Sequence, residues 1–258
     1  MTLSRCELQA ARFGASASAL ARSINQGRMQ SMNRRKVLPV MLQRWHEISF
    51  FHWSCEPNVL RHRLPRGLTV DTFEGKAWLT LTPFLLVGLR PPGWPKALSL
   101  TFPEMNLRTY VVGPSGPGIW FFSLDAARLS AVLGARTTFG LPYFWADMAV
   151  ETGPTQNFYF SRRSKAKAAI RIEKGTRISE QSALDVFLTD RLRLYSMYFR
   201  QLITAPVEHP PWELNRVRIL QLEETVRRTM EVEFPSSEFL AHHSTGVDTR
   251  IGSPRPSW

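Results

Sequence analysis

Three polar side chains alternate along one short stretch of the chain, at Glu104, Asn106 and Arg108. Successive side chains of a strand point to opposite faces, so these three face the same side if the stretch is a regular strand. Polar groups on an apolar face need water or a ligand as partners, because burying them unpaired is costly. Glu104 would then have a raised pKa and could carry protons, whereas Arg108 could bind a carboxylate through two hydrogen bonds. The alternative is an ion pair between Glu104 and Arg108 that only stabilises the strand.

Tyr143 is the second candidate catalytic residue. Gly140 can adopt a positive φ and Pro142 fixes its own φ, so the preceding backbone holds the Tyr143 ring in one direction. A tyrosine can donate a hydrogen bond to a carbonyl group or act as a weak acid. The alternative is a core tyrosine whose hydroxyl group is satisfied by the protein itself.

Arg136, His46 and His52 are further candidate ligand-binding residues. The guanidinium group of Arg136 matches the geometry of a carboxylate, with a buried salt bridge as the alternative. Either histidine could carry a proton, because an unperturbed imidazole titrates near neutral pH. A histidine among aromatic residues is more often structural, so that interpretation stays open for both.

We expect neither a metal ion nor a cofactor. His242 and His243 lie near Asp248, but no second acid or cysteine stands at a spacing typical of metal ligands. The chain also contains no Walker loop, no dinucleotide fingerprint and no motif of a serine hydrolase or zinc protease.

The elements that position these groups should be mostly strands, with Glu74 and Gly75 as a two-residue hairpin turn. We expect strands over residues 43–53, 69–73, 76–89, 107–112, 119–124, 143–151, 157–162, 168–172 and, at a sheet edge, 246–251. Residues 217–230 mix strand and helix patterns and stay ambiguous. Many strands with few short helices predict an α+β fold whose large, mostly antiparallel sheet is curled or forms an open β-barrel.

Three short helices complete the predicted fold. One should begin at Pro57, one should be capped by Asp125 and end at Gly134, and one should begin with a capping box between Ser182 and Asp185. A proline-rich loop over residues 90–103 is long enough to be either a lid over a site or a surface excursion.

The composition indicates a single globular domain over residues 39–251, followed by a flexible tail over 252–258. Residues 1–38 are rich in alanine, serine and arginine, which fits a basic disordered extension, a transit peptide or a start codon assigned too early. Residues 1–36 hold about half of the net charge of +12. This distribution argues against a dedicated nucleic-acid surface.

Cysteine usage and apolar runs bear on location. Cys6 and Cys55 match no metal spacing, and we expect Cys6 to lie in a mobile segment, so we expect no structural disulfide and a reducing cytoplasm. The longest apolar run, near residues 79–89, is shorter than the ~20 residues of a membrane helix. A homo-oligomer stays open.

Several phrases of the sequence resemble a known family. The segments at residues 51–53, 71–78, 102–110, 140–144, 209–212 and 246–248 are similar to the YqjF-like family of uncharacterised bacterial proteins, which is grouped with the acetoacetate decarboxylase superfamily. The resemblance covers roughly residues 42–251. It implies a barrel with an internal cavity, with Glu104 at a position where the superfamily has an acid and His46 at a position where it has an arginine.

The resemblance also implies a loss of chemistry. The superfamily forms a Schiff base through a lysine whose position here holds Tyr143, and a phenol cannot replace an amine in that reaction. We therefore expect a cavity that binds a small, partly apolar acid or carbonyl compound without Schiff-base decarboxylation. The alternatives are an enzyme of lyase or hydratase type that uses Tyr143 and Glu104 as acid and base, and a basic protein associated with nucleic acid.

Overall fold

The computed structural model describes residues 37–231 and 239–257. The expectations for residues 1–36 therefore lie outside the described residues. No helix in the described part of the chain is long and apolar enough to cross a membrane.

Strands dominate the described residues. They are β1 Pro39–Cys55, β2 Thr69–Val70, β3 Ala77–Arg90, β4 Leu100–Gly113, β5 Gly116–Ala126, β6 Tyr143–Trp145, β7 Asp147–Thr152, β8 Gln156–Arg163, β9 Ala166–Arg177, β10 Arg193–Tyr198, β11 Gln201–Glu208, β12 Asn215–Glu224, β13 Phe239–Gly252 and β14 Arg255–Pro256. The helices are α1 Pro57–Arg61, α2 Leu129–Phe139 and α3 Ala183–Thr189, with short 3₁₀ helices at Lys96–Leu98 and Arg227–Met230.

The strands form one sheet that curls back on itself. Its order is β14-β11-β10-β5-β4-β3-β1-β13-β12-β9-β8-β7, and β11 also pairs with β13, so the strands from β13 through β1, β3, β4, β5 and β10 to β11 make a ring. Strands β12, β9, β8 and β7 extend from this ring as a wing. Pairing is antiparallel except between β5 and β10 and between β5 and β6. The predicted α+β fold with a large, mostly antiparallel curled sheet is confirmed.

Strand β4 separates two apolar cores because its side chains alternate. Met105 and Leu107 point away from the ring interior and pack with residues of the wing, such as Ile170. Phe102 points into the ring and belongs to a second core with Phe84 of β3. A strand buried on both faces needs apolar residues on each, which explains why β4 lacks a solvent-facing polar stripe.

The helix after β5 differs from the prediction at both ends. Asp125 is not a helix cap, since it lies within β5 and its Oδ1 accepts a 2.7 Å hydrogen bond from Nε of Arg163. The helix continues through Gly134 and ends at Gly140, whose φ is 59°. The predicted positive φ at Gly140 is therefore confirmed, whereas the ion pair with a distant strand overrides the capping tendency of Asp125.

Several sheet predictions need correction. Glu74 and Gly75 form a tight turn with positive φ, but only Phe73 and Lys76 pair across it, and β2 pairs with β4 instead of β3. Residues 246–251 belong to β13, which lies between β1 and β12 rather than at an edge. Residues 255–256, within the predicted tail, pair with β11.

Two other local predictions agree with the structure. Ser182 and Asp185 form the reciprocal capping box of α3. Pro57 occupies the first turn of α1, where its missing N–H group is not needed. The ambiguous residues 217–230 divide between β12 and the 3₁₀ helix that follows it.

Candidate functional site

The ring of strands encloses a cavity of about 640 Å³. Most of its wall is apolar, with residues such as Phe84, Leu86, Phe102, Phe121 and Leu124. Four of the predicted site residues also line it, namely Glu104, Asn106, Arg108 and Tyr143. Ligand sites are commonly apolar cavities of this size with a few convergent polar groups.

Glu104 and Tyr143 are hydrogen-bonded to each other inside the cavity. Tyr143 begins β6, which pairs with β5 so that Tyr143 lies beside Leu124, and Leu124 in turn lies beside Asn106 of β4. This register brings the Tyr143 hydroxyl to 2.8 Å from Oε2 of Glu104. The bond between β6 and β5 therefore positions the tyrosine that the sequence placed after Pro142.

Burial shifts the pKa values of both residues of this pair. Burial raises the pKa of Glu104 to about 7, although hydrogen bonds from Tyr143 and Asn106 act in the opposite direction. Burial and the neighbouring Glu104 carboxylate raise the pKa of Tyr143 well above its usual value. Glu104 can thus gain or lose a proton near neutral pH, whereas Tyr143 stays protonated and acts as a donor.

Arg108 is a buried cation without a carboxylate partner among the described residues. Its side chain lies with the guanidinium carbon 5.4 Å from the ring centre of Phe50, and the residue is 5% exposed. In the described part of the structure, Nε and Nη2 of Arg108 have no hydrogen-bond partner. Within the described ranges Arg108 forms no ion pair with Glu104, whose Oε2 accepts a hydrogen bond from Tyr143, so the alternative of a strand-stabilising pair is wrong. Burial lowers the pKa of Arg108.

Two neighbouring polar atoms share this situation. Oδ1 of Asn106 and Oγ1 of Thr82 are buried and find no hydrogen-bond partner among the described residues. Thr82 lies directly across from Asn106 in the pairing of β3 with β4, so the two groups and Arg108 converge on one part of the cavity wall. Buried polar groups are nearly always hydrogen-bonded, so this cluster is suited to receive a polar ligand group.

The other three predicted ligand-binding residues lie outside the cavity wall. Arg136 is exposed on α2, and its Nε donates a 2.6 Å hydrogen bond to the backbone oxygen of Tyr143. Nδ1 of His46 lies 3.1 Å from the backbone oxygen of Thr245. Arg136 thus fixes the backbone that carries Tyr143, while His46 contacts the adjacent strand.

His52 is fully buried in the ring interior but does not line the cavity. Its Nδ1 lies 2.8 Å from Oγ1 of Thr80, and its ring stacks on Phe50. Burial, together with the charges of His242 and Arg108, holds the pKa of His52 well below its usual value. A neutral imidazole packed in this way matches the structural interpretation given above.

Some wall residues were not anticipated from the sequence. Arg191 follows α3 and lines the cavity, with Nη1 2.7 Å from Oδ2 of Asp71 and its guanidinium over the Phe187 ring. Trp45 and Trp212 also line it and stack with ring centres 5.9 Å apart. Trp212 stands in a phrase that carried the family resemblance, but no local pattern pairs Arg191 with a residue 120 positions away.

The proline-rich loop forms part of the cavity mouth. In the structure it covers residues 91–99, between β3 and β4, and its side chains Trp94 and Leu98 are 56% and 61% exposed while lining the cavity. Ser130 and Gly134 of α2 line another part of the mouth. The loop thus borders the cavity, and whether it closes as a lid stays a prediction.

Two chemical features of the wall bear on reactivity. None of the described residues that line the cavity is a lysine. Within the described ranges, no group of three or more histidine, cysteine, aspartate or glutamate side chains could hold a metal ion.

A basic cluster of Arg162, Arg163, Lys165 and Lys167 at the end of β8 is partly neutralised. Nη2 of Arg162 lies 2.8 Å from Oδ2 of Asp147, and Arg163 is paired with the buried Asp125. Lys165 and Lys167 complete the cluster in the turn and the following strand.

Sequence comparison identifies the family. Residues 42–248 match the model of a family described as an uncharacterized conserved protein. The protein YqjF of Bacillus subtilis strain 168 is 40% identical over 217 residues, which are 81% of this chain and 89% of that protein. This chain belongs to the YqjF-like family.

Solved structures show the fold shared by this YqjF-like chain. The enduracididine biosynthesis enzyme MppR complexed with pyruvate matches with a TM-score of 0.63 at 12% identity, covering 88% of this chain and 93% of that one. An acetoacetate decarboxylase-like enzyme from Sphingomonas wittichii RW1 gives 0.59 at 13% identity, covering 86% and 95%. Acetoacetate decarboxylase from Legionella pneumophila gives 0.58 at 12% identity, covering 88% and 92%. The YqjF-like chain therefore has the acetoacetate decarboxylase-like fold.

Proposed function

We propose that this YqjF-like chain binds a partly apolar carboxylic acid or carbonyl compound in the ring cavity, without forming a Schiff base. The observation that carries the proposal is the pair of unpartnered nitrogens of Arg108, Nε and Nη2, in an apolar cavity. These two nitrogens lie on one edge of the guanidinium group, which is the edge that binds a carboxylate through two parallel hydrogen bonds. A buried cation without such a partner is strongly destabilising, so an anion bound here would offset the unfavourable free energy of burying the charge.

The neighbouring groups suit the rest of such a ligand. Oδ1 of Asn106 can accept a hydrogen bond from a hydroxyl or N–H group, and Oγ1 of Thr82 can donate or accept one. Glu104 is the next inward-facing residue of β4 after Asn106. Together with the Tyr143 hydroxyl it can contact a carbonyl group of the ligand. MppR, which has the same fold, forms a complex with pyruvate, a small acid that contains a carbonyl group.

The proposed absence of Schiff-base chemistry rests on residue types. Such chemistry requires a primary amine with a depressed pKa, and no lysine is present among the described residues of the wall. Tyr143 stays protonated because its pKa is raised, and a phenol donates a hydrogen bond but forms no imine. Ligand binding by this wall is therefore noncovalent.

Calorimetric titration tests the binding proposal. Hexanoate and 2-oxohexanoate should bind, whereas hexanol should bind much more weakly because it lacks the anion. Arg108→Gln should weaken binding of both acids by about tenfold or more, as expected for a charge-assisted hydrogen bond. Arg44→Gln is the matched control, since Arg44 lies outside the wall and pairs with Asp248 on the surface. Equal affinities of the Arg108→Gln variant and the unmodified protein would refute the proposal.

A second candidate function is enzymatic and depends on the Tyr143 to Glu104 hydrogen bond. A glutamate with a pKa of about 7 can accept a proton from the carbon next to a carbonyl group, while the Tyr143 hydroxyl turns from Glu104 to the ligand and donates its one hydrogen to the carbonyl oxygen. This is the first step of a lyase or hydratase reaction. Deuterium exchange at carbon 3 of 2-oxohexanoate, followed by NMR, detects it. Exchange that is lost in Tyr143→Phe with binding retained supports an enzyme, and no exchange in the unmodified protein supports a binding protein.

A further inference from the structure

The polarity of the cavity changes in one direction along two paired strands. On β4 the inward-facing residues Arg108, Asn106, Glu104, Phe102 and Leu100 all line the cavity, in that order from polar to apolar. The residues of β3 that pair with them change from polar to apolar in the same direction. The pairs are Thr82 with Asn106, Phe84 with Glu104, Leu86 with Phe102 and Leu89 with Leu100. The wall therefore has a polar end at Arg108 and an apolar end near the loop that connects β3 to β4.

The exposed fractions of the residues show which end of this wall faces solvent. Arg108 and Glu104 are 5% and 3% exposed, whereas Trp94 and Leu98 in the connecting loop are more than half exposed. The unpartnered polar atoms are thus at the closed end, and large apolar side chains stand at the mouth. A purely polar small ligand would leave the outer half of this wall without a partner.

The dimensions fit an elongated molecule. A strand rises by about 3.3 Å per residue, so the path along β4 from Arg108 to Leu100 is about 26 Å long. Extended chains advance by roughly 1.2 Å per bond, so a chain of about 20 atoms spans this path. A water occupies about 30 Å³ in the liquid, so a 640 Å³ cavity holds roughly 20 non-hydrogen atoms. The small residues Ala131, Gly134 and Ala135 of α2 also line the cavity and take little of its space.

We propose that the ligand is an amphipathic carboxylate of about 20 non-hydrogen atoms that enters head first, with its carboxylate at Arg108 and the end of its apolar tail at the mouth by Trp94 and Leu98. This inference rests on the proposed function, since it assigns the anion to the same arginine. It adds the class of ligand, which is a long-chain or similarly sized acid, and its orientation in the cavity.

A chain-length series tests the orientation. Straight-chain acids from hexanoate to eicosanoate, each below its micelle concentration, are titrated calorimetrically. Each added methylene group should tighten binding about fourfold until the tail fills the wall near octadecanoate, after which the gain should stop. Trp94→Ala and Leu98→Ala should weaken octadecanoate but leave hexanoate unchanged. Leu220→Ala, an exposed leucine on β12 outside the wall, is the control and should change neither.

Arg108→Gln separates the two proposals. It should weaken hexanoate and octadecanoate by the same factor, because it removes only the contact with the head. Equal affinities for hexanoate and octadecanoate in the unmodified protein would overturn the tail inference, while a loss of hexanoate binding in Arg108→Gln would still support the proposed function. No effect of Arg108→Gln on either acid would overturn both.

Discussion

The hydroxyl group of Tyr143 donates a hydrogen bond to Oε2 of Glu104 at 2.8 Å, and both groups are buried in one apolar cavity. The two residues come from different strands, and β5 lies between the strands that carry them. A carboxyl group in this environment favours its neutral form, and a phenol beside it favours its protonated form. The pair therefore gains or loses one proton near neutral pH inside a mostly apolar cavity.

The stability of the protein should depend on pH through Glu104. Its pKa is about 7 in the folded protein and near 4.5 when exposed, so folding favours the protonated carboxyl group. The stabilisation is fully present below about pH 4.5 and is lost as the pH rises through 7, by at most about 3 kcal/mol. Urea unfolding at pH 5 and pH 8 should show this loss in the unmodified protein but not in Glu104→Gln. An identical pH dependence in both proteins would contradict the prediction.

Tyr143→Phe should raise the pKa of Glu104 further. The hydrogen bond from Tyr143 favours the ionised carboxylate, so its removal leaves only the hydrogen bond from Asn106 to oppose the effect of burial. Carbon NMR of labelled glutamate, recorded as a function of pH, measures the midpoint directly. Tyr198→Phe is a suitable control, because the Tyr198 ring packs against Phe199 and does not line the cavity. A midpoint that stays at its original value in Tyr143→Phe would show that the hydrogen bond is absent in solution.

Replacement of Gly140 by alanine should destabilise the fold. The residue has a φ of 59°, and an added Cβ would lie 2.2 Å from the backbone oxygen of Met197 in β10. Strain and overpacking together should cost at least about 2 kcal/mol. Gly134→Ala is the matched control, since Gly134 lies within α2 with no atom within 4 Å of the added Cβ. That substitution should stabilise the helix by about 0.5–1 kcal/mol in a denaturant titration.

Borohydride should trap no Schiff base in the cavity. Acetoacetate is a β-keto acid that forms an imine only with an accessible amine, and no described wall residue is a lysine. Peptide mass spectrometry after reduction should find no lysine modified at high occupancy. A single lysine that is labelled stoichiometrically, and protected by excess hexanoate, would disprove the noncovalent assignment.

Glu47 should contribute to stability from a second polar cluster, between β1 and the wing. Its Oε2 lies 2.7 Å from Nζ of Lys174, 2.7 Å from Nδ2 of Asn157 and 3.2 Å from Nε2 of His243. Burial alone would raise the pKa of Glu47, but hydrogen bonds from His243, Lys174 and Asn157 outweigh it and lower the pKa to about 2. The stabilisation is therefore present above about pH 4.5 and lost as the pH falls toward 2.

Glu47→Gln should lower the free energy of unfolding at pH 7 by about 3 kcal/mol, because it leaves the mostly buried ammonium group of Lys174 without its carboxylate partner. The loss should shrink as the pH falls toward 2. Glu173→Gln is the control, since Glu173 forms a surface pair with Arg218 and such pairs contribute little. Chemical unfolding at several pH values measures both, and equal effects of the two substitutions would contradict the prediction.

Local chemistry made part of the site predictable. Alternation along a strand placed Glu104, Asn106 and Arg108 on one face before any tertiary contact was known, because the period of two is a property of the backbone. The positive φ of Gly140 and the capping box at Ser182 followed from equally local rules. These features depend on residues within a few positions of one another.

The remainder depended on how the sheet closes. Asp125 has the side chain of a helix cap, yet its partner Arg163 arrives only after three further strands have formed. Arg136 was predicted to face a ligand, but the turn of α2 directs it to the backbone of Tyr143 instead. Arg191 pairs with Asp71 across 120 positions. No pattern within a short window encodes such pairings, because they are fixed by strand order.

Neighbouring strands of the ring differ in how many residues they pair with each other. Strand β10 meets β5 only at Leu194 and Tyr195, and β11 meets β13 only at Val207 and Glu208, whereas β3 and β4 are paired along most of their length. The β10–β11 hairpin is thus held to the rest of the ring by few backbone pairs. Its amide hydrogens should therefore exchange with solvent before those of β3 and β4. Because Leu194 and Val207 line the cavity, an outward movement of this hairpin would widen the cavity while Arg108 on β4 stays in place.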